Sequence, residues 1–123
     1  MAMLLVIDDD AIIRISLMQL LAMEGYEVHG AGNGQEALDL LKRHAARTPC
    51  LIVLDLMMPV MDGIEFRRTQ LLDAAIAHVP VVIVTGKSDL AEVEALQPLK
   101  VIRKPFQPSI ILDLAEEHCR CRE

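Results

Sequence analysis

Short apolar runs and stretches of helical period alternate along this chain, and that alternation restricts its fold more than any other feature. Leu4 to Ile7 is an unbroken apolar run closed by Asp8, Asp9 and Asp10. From Ala11 to Glu24 the apolar residues, Ile12, Ile13, Leu17, Leu20 and Leu21 among them, recur at helical spacing until Gly25 stops the pattern. A brief strand is expected near Glu27 to Ala31. A helix then runs to about Ala46, with Asn33 as its cap and Glu36 at the reciprocal position three residues on. Cys50 to Leu54 reads as the clearest buried strand, closed by Asp55 and the turn-forming stretch Pro59 to Gly63. A helix follows from about Ile64, then a strand over Val81 to Val84 that ends at Thr85-Gly86. The pattern finishes with a short helix in Asp89 to Leu96, a strand near Lys100 to Arg103, and a helix opening at Pro108, a favoured first helical position.

Strands separated by helices run parallel, because parallel neighbours need crossovers and crossovers are right-handed. Continuous apolar strands are those covered on both faces. The expected fold is therefore α/β, a flavodoxin-like doubly wound (βα)5 arrangement with a five-stranded parallel sheet in the order 2-1-3-4-5. A chain of 123 residues is expected to form one domain over residues 1–123. Aromatics make up only 2% of it, so Val, Ile, Leu, Ala and seven Met must build the core.

A net charge of −6 with no basic cluster disfavours direct binding of nucleic acid. No apolar run reaches membrane-spanning length, and the segment from Met1 to Ile7 lacks the basic flank and cleavage site of a signal peptide, so no membrane insertion and a cytoplasmic address are expected. Cys50, Cys119 and Cys121 are odd in number and have no framework spacing, which reads as reduced thiols. His29, His44, His78 and His118 are scattered and read as surface residues. His118 with the last two cysteines makes a poor zinc signal.

In doubly wound sheets ligands bind beyond the carboxyl ends of the strands. Asp8, Asp9 and Asp10 follow the first strand, Asp55 the third, Thr85 the fourth and Lys104 the fifth. Carboxylates gathered that closely raise one another's pKa unless a cation sits among them, and oxygen ligands of this kind suit Mg²⁺. A metal, an ammonium and a hydroxyl around one carboxylate are the parts that phosphoryl transfer requires. Asp10 and Asp62 read as helix-cap or turn residues rather than ligands. Met57, Met58 and Met61 read as loop packing around the acids.

The pieces LLVIDD (Leu4 to Asp9), LDLMMPVMDG (Leu54 to Gly63), IVTG (Ile83 to Gly86) and KPF (Lys104 to Phe106) stand in this order across nearly the whole chain. Together they resemble the receiver domains of two-component response regulators. The resemblance implies a signalling switch in which Asp55 is the phosphoacceptor. It implies Mg²⁺ held by Asp8, Asp9, Asp55 and the Met57 backbone carbonyl, with Thr85 and Lys104 contacting the phosphoryl oxygens and Lys104-Pro105 a cis peptide. The donor would be a phosphohistidine on a sensor histidine kinase or histidine phosphotransfer protein. The outcome would be altered binding to a downstream protein target or effector domain, with a homodimer among the options. Such a domain assists its own phosphorylation and dephosphorylation and is not an enzyme in the usual sense. No output domain is expected within this chain.

The chain departs from that pattern in two places. Val101 stands where many receivers carry an aromatic side chain, and the stretch from Gly86 to Arg103 is short, which implies a reduced fourth helix or loop. Gly86 leaves the phosphoryl site open, and Lys87 and Met57 fall where family members tune phosphoryl lifetime. Two other functions are compatible with the acids. One is a Mg²⁺-dependent phosphohydrolase similar to the haloacid dehalogenases, with Asp8 as nucleophile in Asp8-Asp9-Asp10. The other is an unphosphorylated receiver-like interaction module.

Overall fold

A computed structural model describes residues 2–86 and 90–119; Lys87, Asp89 and Cys121, each of which carried an expectation above, lie outside the described residues. The elements are β1 (Met3–Ile7), α1 (Ala11–Met23), β2 (Glu27–Ala31), α2 (Gly34–Arg43), β3 (Leu51–Asp55), α3 (Gly63–Leu71), β4 (Val81–Thr85), α4 (Leu90–Glu94), β5 (Lys100–Arg103) and α5 (Pro108–Cys119). All five strands are parallel, in the order β2-β1-β3-β4-β5. Most strand and helix boundaries fall within two residues of expectation. The exception is α2, which stops at Arg43 instead of continuing to Ala46, its last turn closed by the His44 N–H on the Leu40 carbonyl.

Alternate strand residues enter two separate cores, as a period of two requires of a sheet covered on both faces. Leu5, Ile7, Ile52, Leu54 and Ile83 join α2, α3 and α4 through Leu40, Leu41, Phe66 and Val93. Leu4, Val6, Val53, Val82 and Val84 join α1 and α5 through Leu17, Leu21, Ile111 and Leu114. Caps start the helices where the sequence suggests. Asp10 accepts from the N–H groups of Ile12 and Ile13, and Asp62 from that of Glu65. Asn33 accepts from the Glu36 N–H, but the Glu36 carboxylate reaches back to the Gly32 N–H and the Asn33 amide, one residue beyond a reciprocal box. Gly25 ends α1 at φ +93, a conformation cheap only for glycine.

Two sequence expectations are corrected. Cys50 and Cys119 are not free thiols: they form a disulfide with a Cα–Cα distance of 5.4 Å. Their separation of 69 residues conceals that the entry of β3 and the last residue of α5 meet at the amino end of the sheet. His29 and His44 are not scattered either, since β2 and the end of α2 bring their rings to 4.7 Å, and His29 also pairs with Glu27 at 2.7 Å.

Candidate functional site

Strand polarity places the chemistry. Because β1, β3, β4 and β5 are parallel neighbours, the residues at their carboxyl ends collect at one edge of the sheet. Asp55 is the last residue of β3 and Thr85 the last of β4, both inside the strands and buried. Asp8 follows β1 directly and extends its pairing, its N–H bonded to the Ala31 carbonyl. Lys104 follows β5, its N–H bonded to the Thr85 carbonyl, and the cis Lys104-Pro105 bond comes next.

Asp8, Asp9 and Asp55 each present a carboxylate oxygen within 4.8 Å of the other two. Asp8 and Asp55 are each 4% exposed, while Asp9 faces solvent. Lys104 Nζ lies 3.3 Å from Asp55 Oδ1 and 3.5 Å from Asp8 Oδ2. Burial, and then the charge of Asp8, push the Asp55 carboxyl up from 3.8 to about 6, against the opposing pull of Lys104 and the Met57 N–H. Burial opposes the charge on Lys104, but Asp55 and Asp8 outweigh it and raise its pKa.

Two buried carboxylates and one exposed one exceed what a single ammonium neutralises. An all-oxygen donor set that still pushes one carboxyl up is the environment a hard divalent cation relieves, so these residues fit Mg²⁺. Asp10 stays with the α1 cap, as expected, although its N–H donates to Asp8 Oδ1 at 2.9 Å. Met57 is 60% exposed, while Met58 and Met61 pack against the core. A side chain at Gly86 would meet nothing within 4 Å, which leaves that approach open.

Sequence reasoning missed Arg14, whose Nη1 donates to the Asp8 carbonyl at 2.8 Å and so ties α1 to the acidic loop. Its helical position, six residues after Asp8, was the available signal. An apolar groove of about 500 Å³ adjoins the acids, lined by Ile12, Ile13, Leu17, Lys104, Pro105 and Phe106. Ile12 is 79% exposed at its rim.

The sequence model of the response regulator receiver domain matches residues 4–116. Response regulator MprA of Mycolicibacterium vanbaalenii is 39% identical over 89 residues, which is 72% of this chain but 36% of that protein. The chain therefore spans little more than a third of that relative's length. Sporulation initiation phosphotransferase F of Bacillus subtilis is 34% identical over 119 residues, covering 94% of this chain and 91% of that one. Among solved structures, chemotaxis protein CheY4 of Vibrio cholerae superposes with a TM-score of 0.84 at 29% identity, over 96% of this chain and 98% of the other.

Proposed function

Given that the chain belongs to the response regulator receiver family, phosphoacceptor domains of two-component signalling, we propose that Asp55 receives the phosphoryl group and that Mg²⁺ assists the transfer. One observation carries this reading: Asp55 is a buried strand-end carboxylate with an ammonium 3.3 Å away and two more carboxylates within 4.8 Å.

In the proposed reaction an Asp55 carboxylate oxygen attacks the phosphorus of a phosphohistidine. The P–N bond breaks, and the imidazole leaves as it takes up a proton. With its pKa near 6, Asp55 is mostly ionised at neutral pH and able to attack. Lys104 supplies positive charge to the phosphoryl oxygens, and Thr85, buried at the end of the neighbouring strand, supplies a hydroxyl beside them. Asp8, Asp9 and Asp55, with the Met57 carbonyl, would hold the cation, which would neutralise charge that develops on those oxygens. Arg14 and the Asp10 N–H keep Asp8 in place.

The proposed phosphodonor is a histidine kinase or histidine phosphotransfer protein that docks in the cytoplasm. The apolar groove beside Lys104, with Ile12 at its rim, supports docking of a helical surface close enough to reach Asp55. Disulfides persist chiefly outside the cytosol. Both Cys50 and Cys119 are buried, however, which denies a reductant access in the folded protein.

Intact-mass measurement after incubation with Mg²⁺ and acetyl phosphate tests the assignment. A phosphoryl adduct is expected in the wild type and absent in Asp55→Asn or with EDTA. An adduct that survives Asp55→Asn but disappears in Asp8→Asn would move the chain to phosphohydrolase chemistry at Asp8. The lack of an adduct from any phosphodonor, small molecule or phosphohistidine protein, would favour the unphosphorylated interaction module.

A further inference from the structure

Arg67 lies on the inner side of α3, 4% exposed, and among the described residues it meets no carboxylate. An unpaired cation in the interior is costly unless hydrogen bonds replace its water. The replacement here is specific. Nε donates to the Leu96 carbonyl at 2.9 Å, Nη2 to the Gln97 carbonyl at 2.9 Å, and Nη1 to Gln70 Oε1 at 2.8 Å. Gln70, fully buried, passes its own amide on to the carbonyls of Ile76 and Val79 ahead of β4. Leu96 and Gln97 form the exit from α4, where Gln97 takes a left-handed backbone at φ +55. That exit is gripped by a side chain from another helix.

The start of α3, one turn before Arg67, is seated directly on the backbone of Asp55 and Leu56. A Cβ at Gly63 would overlap the carbonyl oxygen of Asp55 and stand 2.7 Å from Leu56 Cα, and the Gly63 N–H donates to the Leu56 carbonyl at 3.0 Å. There is no slack between β3's end and the first turn of α3. Arg67 follows Gly63 by about one helical turn, roughly 5–6 Å. Close-packed interiors carry small displacements between neighbours instead of absorbing them.

We propose that Arg67 is a coupling residue: a change at Asp55 moves the start of α3, and Arg67 carries that movement to the Leu96–Gln97 carbonyls and so to the surface leading into β5. The proposal rests on Asp55 being the modified residue. The surface it reaches includes exposed Gln97, Leu99 and Lys100, which makes it a place where a partner could sense the state of the site.

The test uses amide hydrogen exchange of the full chain with Mg²⁺, with and without beryllofluoride as the phosphoryl mimic. The amides of Leu96, Gln97 and Leu99 are suitable reporters, since each is hydrogen-bonded, to Val93, Glu94 and Val81 respectively. In the wild type beryllofluoride should change their exchange by about fivefold or more. In Arg67→Met the amides around Asp55 and Gly63 should still respond, while the change at 96–99 falls below about twofold. Should Arg67→Met fail to fold, Arg67→Lys, which keeps the charge but loses the fork, should give an intermediate response. A response at 96–99 as large in Arg67→Met, or in Arg67→Lys, as in the wild type overturns the proposal. So does a wild type in which only residues near Asp55 respond. No response at Asp55's own neighbours would mean that the reading of the site had failed, and the coupling with it.

Discussion

Lys104 Nζ stands 3.3 Å from Asp55 Oδ1 and 3.5 Å from Asp8 Oδ2, so one ammonium serves two buried carboxylates at the carboxyl ends of two different strands. Its removal leaves those charges facing each other with no cation. Lys104→Met is expected to slow phosphorylation from acetyl phosphate by about 100-fold, in line with the loss of one preorganised charge. Without metal at pH 7 it should also lower stability by on the order of 1–3 kcal/mol. Urea denaturation with EDTA measures the second effect, and added Mg²⁺ should recover part of it.

The raised Asp55 carboxyl predicts an unusual pH dependence. Its folded value of about 6 exceeds the ordinary 3.8, so the folded protein binds this proton more tightly than the unfolded chain does. This contribution to stability is therefore present at pH 4 and lost as pH rises through 6. Denaturation midpoints in EDTA should accordingly fall from Asp55 between pH 4.5 and 7.5. Asp55→Asn should remove that fall and gain on the order of 2 kcal/mol at pH 7.5. A wild-type midpoint whose pH dependence is unchanged by Asp55→Asn would contradict it.

Gly63 has no room for a side chain. Gly63→Ala must displace the backbone of Asp55 or Leu56, and it is expected to cost about 2–3 kcal/mol. Because the displaced backbone carries the Asp55 carboxylate or adjoins it, Mg²⁺ affinity measured by calorimetry should weaken as well. Gly86→Ala, where an added Cβ meets nothing, is the matched control and should bind Mg²⁺ as the wild type does.

The Cys50–Cys119 bond closes a loop of 69 residues in sequence. Chain-entropy arguments assign such a loop about 4 kcal/mol. Cys119→Ser should lower the urea stability by roughly that amount. Reducing agent should then have no further effect on the variant, while under unfolding conditions it destabilises the wild type.

Much of this architecture is legible in the sequence because unbroken apolar runs and helical periods leave few alternatives. The gathering of Asp8, Asp9, Asp55, Thr85 and Lys104 at one edge of the sheet was legible too, because they are polar residues at strand ends where packing has no use for them. What escaped is what depends on distant partners. Cys50 and Cys119 carry no local mark of their pairing. Arg67 and Gln70 occupy α3 positions that look ordinary for a polar helix face, and only the approach of the Leu96–Gln97 carbonyls shows that this face is buried. The α2 terminus was overrun because Ala45 and Ala46 are good helix formers, and propensity alone does not mark where the chain turns towards β3.

Met57 lies two residues beyond Asp55 with its side chain largely in solvent, and the chain contains no tryptophan. The protein is thus almost silent in emission. A Met57→Trp substitution would place its only indole beside the acids while leaving the backbone carbonyl available, and would give the site an optical readout of cation binding and of the arrival and loss of a phosphoryl group in real time.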